Sequence, residues 1–227
     1  MCGITRLEDA LHAAQFGVDA LGFVFVPASS RYIELAEAAA IIAKLPAFVV
    51  PVGLFLDASE ETISEALQAL PSLVPQFHGR ETADECERFG RPYLKALALG
   101  APSDTADSAN AQPHVPNKAA ERIKGTSAYE FTRATGFLLD SHAPGALGGT
   151  GVALDWDSLN GVENVLDGRP MILAGGLGPD NVTEAIVKTR PWAVDVSSGV
   201  ESSKGIKNEQ AMRAFMEAVA RADSQQA

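Results

Sequence analysis

Cys2 and Asp140 carry the side chains of this 227-residue chain best suited to moving protons. The thiol lies in Met1-Cys2-Gly3-Ile4-Thr5-Arg6, and the carboxyl closes the apolar run Leu138-Leu139 just before Ser141. A thiol takes a proton from carbon only as thiolate, so its ordinary pKa of about 8.5 has to be lowered by N–H donors or a cation. A carboxyl serves as an acid near neutral pH only when its pKa is raised. At the ends of separate strands the two suit an acid–base rearrangement. By residue type alone, an inert terminal thiol and a helix-capping or turn aspartate are the more natural readings.

Other groups stand at comparable positions. Arg31 follows Pro27-Ala28-Ser29-Ser30 directly before a helical run, and its planar fork suits bidentate capture of a carboxylate. His78 closes an apolar run and either touches a ligand or packs there. Asp57 ends another run and suits the cap of the following helix. Glycine clusters come late, at Gly148-Gly149-Thr150-Gly151, Gly175-Gly176-Leu177-Gly178 and Ser197-Ser198-Gly199. Glycine permits close backbone approach, and free N–H groups at a turn or helix start attract phosphate. One such cluster reads as a tight turn. Two on neighbouring strands, Gly175-Gly176 and Ser198-Gly199, read as a phosphate cradle.

These groups need elements that bring them together. Short β-branched or aromatic runs alternate with amphipathic helical runs eight times. The apolar runs are 1–4 (a stub), 21–26, 49–56, 74–78, 93–99, 136–139, 171–173 and 193–196. Between them, apolar residues recur at helical spacing, as in Leu35/Ala38/Ala39/Ile42, Ile63/Ala66/Leu67/Leu70 and Met212/Phe215/Met216/Val219. Near-continuous apolar strands alternating with helices imply a parallel sheet covered by helices. Eight units in one domain imply a (β/α)8 barrel, whose strands all point one way and deliver their end residues to one mouth. An open doubly wound sheet would carry its phosphate-binding glycine turn after the first strand. The late clusters favour the barrel. Gly100 to Asn117 is polar, proline-bearing and aperiodic, which reads as a long surface loop. Asp155-Trp156 reads as a helix start with Trp156 packed, and Cys86, in a charged run, as a helix residue without chemistry.

Composition narrows the setting. A formal net charge of −11 disfavours nucleic acid and anionic membrane surfaces. No apolar run approaches the ~20 residues of a membrane span, and the N-terminus lacks the segments of a signal peptide. Two cysteines are too few for a disulfide framework and lack metal-ligand spacing. A cytoplasmic protein with no metal is expected.

With these residues in view, the chain closely resembles the phosphoribosylanthranilate isomerases. The stretches that carry the likeness are Cys2-Gly3-Ile4-Thr5-Arg6, Leu21-Gly22-Phe23-Val24-Phe25 with Ser29-Ser30-Arg31, Gln76-Phe77-His78-Gly79, Leu138-Leu139-Asp140-Ser141, Gly148-Gly149-Thr150-Gly151, Ile172-Leu173-Ala174-Gly175-Gly176-Leu177 with Asn181-Val182, and the run from Val194 to Glu201. They span nearly the whole chain in the family's order.

The resemblance implies a (β/α)8 barrel that converts N-(5-phosphoribosyl)anthranilate to 1-(o-carboxyphenylamino)-1-deoxyribulose 5-phosphate in tryptophan biosynthesis. This Amadori rearrangement moves protons and no hydride, so no cofactor is implied. By the same resemblance Asp140 matches the general acid, Cys2 the general base and Arg31 the arginine that binds the anthranilate carboxylate. The Gly175-Gly176 and Ser198-Gly199 turns match the phosphate loops, and His78 completes the substrate-binding set. A monomer or homodimer is expected.

Three departures stand out: only Met1 precedes Cys2, Ser30 stands where proline is frequent, and the Gly100–Asn117 loop is long. A stub would leave backbone groups of the flanking strands unpaired, at about 1–3 kcal/mol for each buried group. Either the natural chain starts upstream of Met1 or the barrel tolerates a frayed seam and a loosely held base. One rival is a barrel of this lineage that binds the ligand but isomerises poorly. Another is a phosphate-binding barrel such as indole-3-glycerol-phosphate synthase, which calls for a strand-borne catalytic lysine. Lys95 is the candidate for that lysine and reads more naturally as a strand-edge residue.

Overall fold

The computed structural model describes residues 1–98, 128–140, 156–159 and 161–226. The Gly100–Asn117 segment, the Gly148–Gly151 cluster, Ser141 and Asp155 lie outside the described residues. Seven parallel strands form one sheet in chain order: β1 (Ala20–Val24), β2 (Val50–Phe55), β3 (Val74–Phe77), β4 (Tyr93–Ala98), β5 (Ala134–Asp140), β6 (Met171–Leu173) and β7 (Ala193–Val194). Each overlaps an apolar run of the sequence.

The eighth position is filled by the stub. Cys2 pairs in parallel with Gly22 of β1. The Gly22 N–H donates to the Met1 carbonyl at 2.9 Å, and the Cys2 N–H donates to the Val196 carbonyl, just beyond β7, at 2.9 Å. Gly3 and Ile4 both donate to the Gly22 carbonyl at 3.0 Å. The stub therefore bonds to both neighbours and closes the barrel, and the expected unpaired seam is not found over these residues.

Alternation along the strands sends one set of side chains inward and the other toward the helices. Ala96, Leu138 and Ala174, with Ile172 beside them, form a small interior cluster. The outward set is larger and aromatic: Phe23, Phe55, Phe77, Tyr93 and Phe137 are fully buried against the helical layer. Phe25, Phe55 and Phe77 stack in succession with centroids 5.6 and 6.3 Å apart, which ties β1, β2 and β3 across their outer face. The helices cover this layer with the faces their spacing predicts. Leu35–Ile42 buries Ala38 and Ile41, Glu60–Ala69 buries Ile63, Ala66 and Leu67, and Glu209–Gln226 buries Met212, Phe215, Ala218 and Ala222.

Local signals set the helix starts. Ser59 caps Glu60–Ala69 by accepting the Thr62 N–H at 3.2 Å. Asp57, expected to cap that helix, instead accepts the Arg80 N–H at 2.6 Å and ties the loop after β2 to the loop after β3. Cys86 is buried on the helix Ala83–Glu87, as expected of a residue without chemistry. Trp156 begins the short 3-10 helix Trp156–Leu159 and packs against the core.

Lys95 corrects the sequence reading. It lies on β4 in mid-sheet and is 3% exposed, so it is no edge residue. Its ammonium donates to the Phe77 and Gly79 carbonyls at 3.3 and 2.7 Å and to Glu81 at 2.9 Å. Glu81 also accepts the Asp57 and Gly79 N–H groups at 2.8 and 2.9 Å. The buried pair clamps the loops after β2 and β3. Breaking one partner of such a pair costs about 3–5 kcal/mol because a buried charge is left behind. Lys95→Met is therefore expected to lower the unfolding free energy by about 3 kcal/mol in urea titration; a loss under ~0.5 kcal/mol would remove the clamp from this account.

Candidate active site

The carboxyl ends of the strands surround an open cavity of about 780 Å³, counting its mouth. Its walls include Cys2 from the stub, Ser29 and Arg31 beyond β1, His78 beyond β3, Asp140 at the end of β5, Gly175 and Gly176 beyond β6, and Asp195, Ser197 and Ser198 beyond β7. Seven of the eight residues singled out in the sequence thus line one space. They come together because parallel strands share a polarity, not because they are near in sequence.

Gly199 is the exception, absent from the lining. Its backbone lies so close to the Leu177 carbonyl that an added Cβ would overlap that oxygen. Its role is to let the loops after β6 and β7 touch. Gly175 and Gly176 hold φ of 86° and 64°, in the left-handed region that favours glycine. The Asn181 side chain fixes this turn by accepting the Gly178 N–H at 2.8 Å and donating to the Gly176 carbonyl at 2.9 Å. Among the described residues, the N–H groups of Gly175, Gly176 and Ser198 donate to no backbone or side-chain acceptor. An anion at this end of the cavity would meet donors from both loops.

Opposite the loops, His78 Nε2 stands 3.5 Å from Asp140 Oδ2. Asp140 is buried, and so is the His78 Nδ1 atom, which has no hydrogen-bond partner among the described residues. Of the two sequence readings of His78, packing at a strand end or contact with a ligand, the structure puts the side chain in the cavity wall beside the carboxyl.

Arg31 is buried and already engaged. Its Nε and Nη2 donate to the two Glu201 oxygens at 2.7 and 2.8 Å. That side-on pairing uses two of five N–H groups and leaves the end of the fork for a carboxylate. The Glu201 hydrogen bond holds the Arg31 pKa above its ordinary value. Burial alone would raise Glu201, but Arg31 and Lys207 outweigh it and hold the carboxyl below the usual range. Arg31 is thus fixed and charged before any ligand arrives.

Cys2 runs against expectation. Burial, with the Asp195 charge adding to it, pushes the thiol up to about 12, and Lys207, the Met1 ammonium and Arg31 offset only part of that rise. The cations that the sequence reading asked for lie nearby, but burial outweighs them. Burial also raises the carboxyl of Asp195, whose Oδ1 lies 3.6 Å from the Met1 ammonium. Asp195 was legible as an acid at a strand end, like Asp140, yet was given no role. Glu201 closes the family-like run from Val194 but was given no role, and Lys207 gave no periodic or motif signal; the fold sets both behind the cavity wall, against Arg31, Cys2 and Ser197. Lys95 does not line the cavity and is held by Glu81, which leaves the synthase-like rival without its lysine. No cluster of three or more His, Cys, Asp or Glu side chains among the described residues can hold a metal ion.

A closed parallel barrel with a polar cavity at the carboxyl ends of its strands defines the class of (β/α)8-barrel enzymes. A family model described as N-(5'phosphoribosyl)anthranilate (PRA) isomerase matches residues 1–218. The N-(5'-phosphoribosyl)anthranilate isomerase of Pseudomonas fluorescens (strain Pf0-1) is 47% identical over 220 residues, 96% of each chain. That of Pseudomonas putida strain F1 is 46% identical over 222 residues, 98% of this chain and 97% of the relative. The crystal structure of phosphoribosyl anthranilate isomerase from Thermotoga maritima superimposes with a TM-score of 0.78 at 34% identity, covering 97% of both chains. An isomerase in complex with reduced 1-(o-carboxyphenylamino)-1-deoxyribulose 5-phosphate gives 0.76 at 32% identity, over 97% of this chain and 96% of the other. The chain belongs to the N-(5'-phosphoribosyl)anthranilate isomerase family.

The seat of Cys2 carries a steric prediction. A Cβ built on Gly22 would lie 2.8 Å from Cys2 Sγ and 3.0 Å from its Cα, so only glycine lets β1 pass beneath the thiol. Gly22→Ala is expected to cut turnover at least tenfold while the protein stays folded by circular dichroism. Turnover at the wild-type level would show that Sγ need not sit where the structure places it.

Proposed function

We propose that the protein catalyses the Amadori rearrangement of N-(5-phosphoribosyl)anthranilate to 1-(o-carboxyphenylamino)-1-deoxyribulose 5-phosphate, as one domain acting in the cytoplasm. The observation that carries this reading is that Cys2, Asp140, Arg31 and the two glycine loops line one cavity. A phosphate on the Gly175-Gly176 and Ser198 N–H groups and a carboxylate on the free end of Arg31 would stretch the substrate across the mouth, with its ribose between Cys2 and Asp140.

Asp140 then gives a proton to the ring oxygen as the C1′–O bond breaks, and the nitrogen lone pair forms a protonated Schiff base. His78, 3.5 Å away, orients the carboxyl. Cys2 removes the proton from C2′, that electron pair forms the C1′–C2′ double bond, and the C1′–N π pair moves onto the nitrogen to give a neutral enolamine. Loss of the enol proton with protonation of C1′ yields the ketone. The raised thiol sets the order of events. A cationic Schiff base offsets the negative field of Asp195 and favours the thiolate, so the base forms once the ring has opened.

Cys2→Ser and Asp140→Asn are each expected to lower kcat by at least 10³-fold, within the range for loss of a general acid or base, while binding of the product stays within about threefold by calorimetry. Full activity in either variant would overturn the assignment. No helix among the described residues is long and apolar enough to cross a membrane. Of monomer and homodimer, the dimer is favoured by the opposite face of the barrel. There Phe48 and Trp192 are 98% and 79% exposed, beside a cavity lined by Val18, Ala193, Met216 and Val219. Sedimentation is expected to give a dimer that Phe48→Ser weakens; an unchanged monomer at high concentration would refute it.

A further inference from the structure

Lys207 is 3% exposed as a residue and its side chain is wholly buried. It lies on β9 (Ile206–Lys207), which pairs antiparallel with β8 (Glu201–Ser203) in a hairpin beyond the barrel strands. An ammonium buried this completely costs several kcal/mol unless each of its donors is satisfied. Here three donors meet three acceptors: the Cys2 carbonyl at 2.7 Å, Glu201 Oε1 at 2.9 Å and the Ser197 carbonyl at 3.1 Å. Glu201 does not need this second cation, because the Arg31 fork already pairs with both of its oxygens. What Lys207 adds is the other two bonds, to the stub and to the loop after β7.

We propose that Lys207 is a positioning residue that holds Cys2 and the Ser197–Ser198 loop in register with each other and with Arg31. The inference rests on Cys2 as the base. The in-sheet bonds of the stub come from a few backbone groups of Met1 to Ile4. Lys207 adds a charge-assisted bond to the very residue that carries the thiol, of the class worth about twice a neutral one. The hairpin is itself fastened to the N-terminal segment. The Lys207 N–H donates to Asp9 Oδ2 at 3.1 Å, and the Thr5 hydroxyl donates to the Gly205 carbonyl at 2.5 Å. The hairpin thus forms a bracket over the start of the chain, with Lys207 as its inward contact. Lys207 also faces Cys2 as a cation, together with Arg31 and the Met1 ammonium and against Asp195.

The test is Lys207→Met in the full chain, which keeps length and apolar volume and leaves Glu201 paired with Arg31. Expected are a kcat at least tenfold lower per folded molecule and amide exchange at Cys2, Gly3 and Ile4 at least tenfold faster. Exchange along β2 and the Leu138–Leu139 stretch of β5 should stay at the wild-type rate. A kcat within twofold of wild type, or exchange accelerated equally across the whole sheet, would overturn the proposal and leave Lys207 as ordinary packing. If Lys207→Met does not fold, Lys207→Gln, which keeps an N–H donor on a shorter stem, is judged by the same two readouts. Exchange at the stub is read without substrate. Failure of Cys2 as the base, shown by an active Cys2→Ser, is therefore distinguishable from failure of Lys207 to hold it.

Discussion

Backbone hydrogen bonds from the stub to both of its neighbours close this barrel, and the site depends on them. The Gly22 N–H reaches the Met1 carbonyl, and the Cys2 N–H reaches the Val196 carbonyl, each at 2.9 Å. Without them β1 and β7 would face each other across an open seam, and the thiol would have no fixed place opposite Asp140. The same closure brings the loop after β7 against the loop after β6, where Gly199 lies on the Leu177 carbonyl. The thiol, the two glycine loops and the sheet thus share one seam, and a disturbance at any of the three is felt by the others.

The electrostatics around that seam are arranged in opposing pairs. Arg31 and Lys207 surround Glu201, which keeps the arginine charged and rigid. Asp195 and burial hold Cys2 protonated against the pull of three cations. Under the proposed mechanism, a thiol poised in this way would react only once positive charge develops on the ligand, which would confine the chemistry to molecules that have already passed the acid-catalysed step. Keeping the thiol neutral at rest also spares the interior an unneeded buried charge.

Much of this was legible before folding. Apolar runs of β-branched and aromatic residues gave every strand, since two-sided burial leaves an unmistakable composition, and shared strand polarity then gathered Cys2, Arg31, His78, Asp140, Gly175, Gly176 and Ser198 at one mouth. What stayed hidden depended on contacts between residues far apart in sequence. Lys95 reads as a lone charge in a strand until Glu81 is placed beneath it. Glu201 and Lys207 lie in a short hairpin with no periodicity, and the approach of Gly199 to the Leu177 carbonyl joins two loops far apart in sequence. The burial of Cys2 and the Asp195 field that acts on it cannot be seen from the residues that flank the thiol in sequence.

The most direct test of the central claim is a crystal structure of this protein with reduced 1-(o-carboxyphenylamino)-1-deoxyribulose 5-phosphate, the ligand seen in a structural relative. The account predicts phosphate on the Gly176 and Ser198 N–H groups, carboxylate on the free end of Arg31, and the ribulose carbons between Cys2 Sγ and Asp140. A ligand bound with its phosphate away from both glycine loops, or with Cys2 and Asp140 on the same side of the sugar chain, would contradict it.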